Sequence, residues 1–263
     1  LLIGLAIWAA GLDGAGEGYR TFLLRWDSAQ LTNLTTIRNA FTQAFFSIGT
    51  GIGCILAYSA YLDRDAHLPR EAVAVVGMDT AVGLLAGMVT FPVVMSFGLQ
   101  DVISGSTLGT IFIALPTGLA SLGATGQLVA VLFFGLAFLA AITSAVSLLE
   151  VPVACLMDRL NWTRSRAVWV STAVVFVLGL PAATSLGVLG WMDSVFGGLL
   201  LILGGLLLAL LLGWVVPRRF SDDLAQSSTP PALRRFLLVL LRWVSPPIVA
   251  TGLVISVIDL VQG

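Results

Sequence analysis

Three groups of residues have the types and spacing to do chemistry. The first is Asp79, a carboxylate inside the apolar stretch after Glu71, about two helical turns in. At the centre of a bilayer such a charge costs on the order of 3 kcal/mol on insertion scales. It either snorkels to the cytoplasmic interface or serves as an ion ligand or counter-charge in a cavity. The second is Ala140, Thr143 and Ser144, which stand at i, i+3 and i+4 and share one helix face. Two hydroxyls and a carbonyl make an uncharged, all-oxygen cluster suited to a small hard monovalent cation. The competing reading is that each hydroxyl bonds back to a carbonyl one turn earlier. The third is Gly49-Thr50-Gly51-Ile52-Gly53, in the uncharged segment 40–62. Each glycine costs a helix interior roughly 1 kcal/mol relative to alanine. Either Gly49-x-x-x-Gly53 is a small-residue face for close helix packing, or the helix breaks there and lines a cavity with freed backbone groups.

The remaining acids at or near membrane depth are Glu150, Asp158 and Asp193. Asp158 and Asp193 fit plain terminus charges, or halves of ion pairs that close a pathway; Glu150 has no assigned role. Cys54 and Cys155 lie in apolar segments as packing residues rather than a disulfide. His67 lies in a charged loop. No metal-ligand spacing, phosphate-binding glycine loop or nucleophile–base arrangement occurs, and the four acids fall in different segments, which disfavours an intramembrane enzyme.

The elements that must position these groups are membrane helices. Charged residues make up 10% of the chain and hydrophobic ones 58%, whereas soluble domains carry about a quarter charged residues. The chain is therefore all-α and a polytopic integral membrane protein, with the lipid bilayer as its partner. No basic stripe suits nucleic acid. Residues 1–12 are too short to span and read as the end of a truncated helix. A polar loop, 13–37, leads to the glycine-broken helix 38–62. Membrane helices follow at 71–98, with a kink expected at Pro92, and at 127–160, 166–186, 193–214 and 233–261, the last interrupted by Pro246-Pro247. The connection 99–125 reads as a folded-back loop with a short helix, and 218–231 as a polar loop. Arg64 and Arg70; Arg159, Arg164 and Arg166; and Arg218, Arg219, Arg234 and Arg235 fall in alternate loops on one side, the cytoplasmic one by the positive-inside rule. Trp162, Trp191, Trp214 and Trp243 lie near segment ends, as interfacial anchors do.

Taken together, these residues resemble the neurotransmitter:sodium symporter family, which includes bacterial sodium-dependent amino-acid transporters. Gln43-Ala-Phe-Phe-Ser47 with Gly49-x-Gly51-x-Gly53 and Ala57-Tyr58-x-x-Tyr61 looks like the family's sixth helix. Asp79 with Leu84-Leu85-Ala86-Gly87 and Phe91 looks like the seventh, Ala140-Ala-Ile-Thr143-Ser144 the eighth, and Trp191-Met192-Asp193 the start of the tenth. The resemblance covers nearly the whole chain, as a C-terminal portion from the end of the fifth helix to the eleventh. It implies an inverted-repeat transporter fold with a discontinuous helix, of which residues 1–263 would be a partial domain holding the second repeat only. The implied location is the cell (inner) membrane, multi-pass.

The resemblance also implies roles. Phe46 would cap an amino-acid substrate, assisted by Gln43 as part of a gate. Ser47 and Asp79 would serve one sodium ion, with Ser47 also touching substrate. The Ala140 carbonyl and the Thr143 and Ser144 hydroxyls would serve a second sodium, and Ser144 would border the substrate. Gly49, Ile52 and Leu148 would line the side-chain pocket. Asp193 would belong to the outer gate, and Asp158 with Tyr61 to the inner gate. Chloride-dependent relatives carry asparagine where Asp79 stands and serine where Gly83 stands, so a fixed carboxylate here implies sodium as coupling ion without a chloride requirement and without a cofactor. Gly49 and Ile52 lean toward a large apolar or aromatic substrate. The implied activity is sodium-coupled amino-acid symport. The family's first and third helices contribute to both sodium sites and to substrate binding, and neither is present, so this portion alone is expected to be inactive. A non-transporting membrane receptor or regulatory protein on the same scaffold is the alternative.

Overall fold

The computed structural model describes residues 2–59, 66–98, 112, 115–120 and 122–262. All regular structure among them is helical. In chain order the helices are α1 (Leu2–Ala10), α2 (Ala15–Tyr19), α3 (Leu34–Ile48), α4 (Cys54–Ser59), α5 (Leu68–Ser96), α6 (Leu115–Ala120), α7 (Gly123–Leu160), α8 (Arg164–Thr184), α9 (Leu186–Val215), α10 (Pro217–Gln226) and α11 (Pro231–Val261). Helices α5, α7, α8, α9 and α11 are long and apolar enough to cross a membrane. At 38 residues, α7 is about 57 Å long against a hydrocarbon core of ~30 Å, so it tilts or continues into the headgroup layers.

The helices fall into two compact units, one of residues 1–27 and 77–144, the other of 28–76 and 145–263. In the first unit, Leu5, Ala6 and Ala9 of α1 pack with Val89 and Val93 of α5, Leu119 of α6 and Val129 of α7. Pro92 stays within α5 and is buried. Gly18 makes this possible, because a Cβ there would lie 2.5 Å from Pro92 Cα. Phe22 crosses Gly87 and stacks on Phe91, with centroids 4.7 Å apart.

In the second unit, α3, α9 and α11 pack mutually. Their contacts run through small residues. Gly205 of α9 accommodates the Phe45 ring, and a Cβ on Gly252 of α11 would lie 2.6 Å from Phe41 Cδ1. Buried Leu201, Ile202 and Ala209 of α9 and Val249 of α11 complete this core.

Several element ends differ from the sequence expectation, each for a local reason. Helix α3 begins at Leu34, not 38, because Asn33 caps it: Thr36 N–H donates to Asn33 Oδ1 at 3.2 Å. The loop expected over 13–37 holds α2, a π-turn at Arg20–Leu24 and a 3-10 turn at Ser28–Thr32. The span expected from 193 starts at Leu186, where Val188 N–H donates to the Ser185 cap. The loop expected at 218–231 contains α10, which has Pro217 at its first turn and buries Leu224. Pro246 and Pro247 do not interrupt α11. The helix instead widens into a π-turn at Leu240–Val244, just before them, relieving the ring–carbonyl clash that proline brings. Of the folded-back connection, Leu115–Ala120 is the short helix; 99–111 lies outside the described residues, as do 60–62 at the end of the broken helix.

The tight packing of Gly51 yields a stability prediction. An alanine Cβ at Gly51 would collide with the Leu201 carbonyl, on a backbone already at φ 104°. Strain and overpacking together cost about 2–5 kcal/mol. Gly77, on α5, has open space around it, and alanine there gains up to about 1 kcal/mol of helix propensity. Thermal melts of the purified full-length protein should show a marked drop in Tm for Gly51→Ala and none for Gly77→Ala.

Candidate functional site

The site is built around the end of α3. Gly49 takes the left-handed conformation (φ 72°, ψ 22°), and its N–H closes the helix onto the carbonyls of Phe45 and Phe46 at 3.0 and 3.2 Å. Gly51 and Gly53 also have positive φ, 104° and 91°. These are conformations that only glycine adopts cheaply. The helix is discontinuous between Ile48 and Cys54. Close packing is found at the same place. Gly51 lies directly on the backbone of α9 at Leu201, Gly204 and Gly205; a Cβ on Gly204 would meet the Gly51 carbonyl, and one on Gly51 would lie 3.0 Å from Gly205 N. Breaking and close contact, opposed on sequence grounds, occur together.

The outer half of the broken helix is held by charge. Arg38 Nη1 donates to Asp259 Oδ2 at 2.6 Å, and Thr35 Oγ1 to Asp259 Oδ1 at 2.9 Å, fastening α3 to the end of α11. The inner half, α4, is held to α7. Tyr58 Oη donates to Ser147 Oγ at 2.6 Å, the Cys54 thiol approaches the Ser147 carbonyl at 3.9 Å, and a Cβ on Gly53 would meet Val151 at 3.4 Å. Leu148 is the next residue of α7 after Ser147, beside this contact. Gln43, Phe46 and Ser47 lie on exposed positions of α3, Phe46 at 54%, while Gly49 and Ile52 are half-buried in the break.

Asp193 is not at a helix end. It opens a π-turn, Asp193–Leu199, inside α9. Such turns widen the helix and redirect side chains. Its Oδ1 lies 2.8 Å from where a Cβ on Gly197 would be, so the glycine makes room for the carboxylate. Gly198, next along, faces Thr42 and Arg38. Asp158 is exposed near the end of α7, and Tyr61 lies outside the described residues. Glu150 acquires a partner that the sequence did not indicate: Arg164 binds it in a bidentate pair, at 2.9 and 2.8 Å, closing the α7–α8 turn.

Asp79, Ala140, Thr143 and Ser144 belong to the first unit. Asp79 is half-buried on α5, and the other three are exposed on α7. Thr143 Oγ1 donates to the Ala140 carbonyl at 2.8 Å. This is the back-bond expected of a threonine in an apolar helix. It also sets two of the three candidate oxygens close enough for one cation to touch both. No cluster of three or more His, Cys, Asp or Glu occurs among the described residues.

A model of the sodium:neurotransmitter symporter family matches residues 1–262. The chain belongs to this family. An uncharacterized sodium-dependent transporter of Bacillus subtilis, YhdH, is 37% identical over 193 residues, which is 72% of this chain and 41% of that protein. One of Haemophilus influenzae is 31% identical over 238 residues, 86% of this chain and 51% of that protein. Among solved structures, the crystal structure of MhsT in complex with L-phenylalanine is similar with a TM-score of 0.86 and 35% identity, covering 97% of this chain and 59% of that one. The chain thus spans about half the length of the curated relatives it matches. It is a multi-pass membrane protein with the fold of a family of secondary transporters, not of enzymes.

The contacts that hold the two halves of the broken helix carry no local sequence signal. Arg38 and Asp259 are 221 positions apart, and no local pattern links them. Gly204-Gly205, lost in a Leu-rich run, is the seat of the break; a Gly-Gly pair inside an uninterrupted helix was the available signal.

The charged fastening can be tested by exchange. Arg38→Asp sets two carboxylates against each other and should lower the Tm and the yield of folded protein. The double variant Arg38→Asp with Asp259→Arg should recover most of both in a thermal melt, because the attraction is restored with the charges swapped.

Proposed function

We propose that the full-length protein carries out sodium-coupled symport of an amino acid with a large apolar or aromatic side chain, across the cytoplasmic membrane. The observation that carries this reading is the break at Gly49–Gly53, with Phe46 and Ser47 on one side of it and Ile52 within it. Interrupted helices are where transporters of this architecture place substrate and coupling ions. Phe46 is proposed as the cap over the substrate, with Gln43 beside it; Gly49, Ile52 and Leu148 as the side-chain pocket; and Ser144 as a border to it. A pocket of one glycine and two aliphatic residues leaves room for a large apolar group, and MhsT, at 35% identity, is seen with L-phenylalanine.

Ser47 and Asp79 are proposed as ligands of one sodium ion. The Ala140 carbonyl with the Thr143 and Ser144 hydroxyls is proposed for a second. The Thr143 hydroxyl proton then turns away from the Ala140 carbonyl, so that both oxygens point their lone pairs at the ion. Asp79 supplies a fixed negative charge, and transport is proposed to need no chloride. Asp193 is assigned to an outer gate and Asp158, with Tyr61, to an inner one. Gly197, one turn on from Asp193, leaves the space beside the Asp193 carboxylate that a side chain would occupy.

Uptake into proteoliposomes by the full-length protein tests the reading. Labelled L-phenylalanine should accumulate only with an inward sodium gradient, should be displaced by tryptophan and leucine rather than glycine or alanine, and should persist when gluconate replaces chloride. Asp79→Asn should raise the sodium concentration for half-maximal uptake on the order of tenfold, since a charged oxygen ligand becomes neutral. Uptake indifferent to sodium would end the proposal; collapse in gluconate would remove its chloride clause alone.

A further inference from the structure

Arg242 is a guanidinium inside a membrane-spanning helix, about 17 Å along α11 from Pro231. Ionisable groups at such depth ordinarily find an opposite charge. Arg242 does not: among the described residues its side chain makes no ion pair or hydrogen bond, and its Nε is buried without a partner. Its charge lies instead over an aromatic face, with Cζ 4.7 Å from the centroid of the Trp214 ring. Trp214 is fixed in turn, because its Nε1–H donates to the Arg242 carbonyl at 3.1 Å and Trp243 meets it edge-on at 5.0 Å. The two helices touch through their backbones here, as a Cβ on Gly213 would lie 3.1 Å from the Leu241 carbonyl. Both widen into π-turns at this level, Leu211–Val215 in α9 and Leu240–Val244 in α11.

The neighbours fix the depth of the charge. Trp214 stands at the end of α9, and within five residues the chain reaches Arg218 and Arg219 in the first turn of α10. This is the arginine-rich side. Helical side chains lean toward the helix N-terminus, which for α11 is the same side, and arginine extends its charge toward the interface. The guanidinium therefore lies level with the last turn of α9, on the arginine-rich side. Beside Trp214 an open cavity of about 330 Å³ is lined by Trp214, Val215, Val216, Pro217, Arg218 and Arg219. Arg218 and Arg219 stand in the first turn of α10, with Asp222 and Asp223 one turn later, which opposes the helix dipole. An anion in the cavity offsets that cost, and Trp214, which forms part of the cavity wall, is the ring on which the Arg242 guanidinium rests. Cytoplasmic-leaflet lipids provide such anions at this depth, and Trp214 and Trp243, 46% and 62% exposed, present apolar surface beside it.

We propose that Arg242, with Arg218 and Arg219, forms a binding site for the phosphodiester of an anionic phospholipid of the inner leaflet, flanked by Trp214 and Trp243. The assignment is independent of what the protein transports. The test is native mass spectrometry of the full-length protein released from nanodiscs of phosphatidylcholine with a minority of phosphatidylglycerol. The wild-type protein should retain phosphatidylglycerol several-fold above its share of the disc. Arg242→Gln should bring retention down to that share. Arg242→Lys should fall between, since an ammonium lacks the two-pronged fork that matches phosphate. Arg218→Gln with Arg219→Gln, outside the hydrocarbon, should lower the enrichment without touching the span. Retention at the disc's own ratio by the wild-type protein overturns the proposal. So does wild-type enrichment in folded Arg242→Gln or, should that variant not fold, in the Arg218→Gln/Arg219→Gln protein.

Discussion

The second unit depends on a contact between two backbones. Gly51 lies on the α9 backbone at Leu201, Gly204 and Gly205, and the two glycines leave room for its close approach. The break needs positive φ at Gly49, Gly51 and Gly53, and an isolated chain has no reason to hold three such residues in one arrangement. The seat on α9 gives it one. Dispersion between backbones at that range, with Phe45 lying across Gly205, replaces the hydrogen bonds that a continuous helix would have kept. Backbone irregularity at membrane depth survives only when protein or a wet cavity covers it. Here one side of the break is covered by α9.

Other features hold the two halves of the broken helix on either side of the break. The outer half is fastened by Arg38 and Thr35 to Asp259, and the inner half by Tyr58 and Cys54 to Ser147. These ties are polar and end-placed, so each half can be positioned without a large apolar interface between them. The π-turns extend the same logic into α9 and α11. The first, in α9, opens at Asp193 with Gly197 and Gly198 within it; a second, at the end of α9, lies level with the one that lets α11 pass Pro246 and Pro247 without breaking.

How much of this was legible in the sequence follows from the range of each interaction. Composition and apolar run length set the fold class, because crossing a bilayer is a local property of about 20 residues. The glycine spacing located the break, since left-handed backbone is a single-residue preference. Helix starts were misplaced at Leu34 and Leu186, where Asn33 and Ser185 cap the chain earlier than expected, and α10 was read as loop because its polar residues outweighed Pro217 at its first turn. Partners were not legible at all. The pairing of Arg38 with Asp259, or of Gly51 with Gly204, is set by how helices pack across some 150 to 220 positions of chain. Glu150 shows the same limit at shorter range: its bidentate partner lies only 14 residues on, but across a helix reversal.

The proposed function requires residues 49–53 to be open backbone that a ligand closes rather than a frayed stretch of helix. Hydrogen exchange of the full-length protein, followed over peptides spanning 47–54, measures that directly. Amides of the break should exchange much faster than those of Leu34–Ile48 in the ligand-free protein, and should slow when sodium and L-phenylalanine are added together. Slow exchange through 47–54 without ligand, or rates that neither sodium nor amino acid alters, would contradict it.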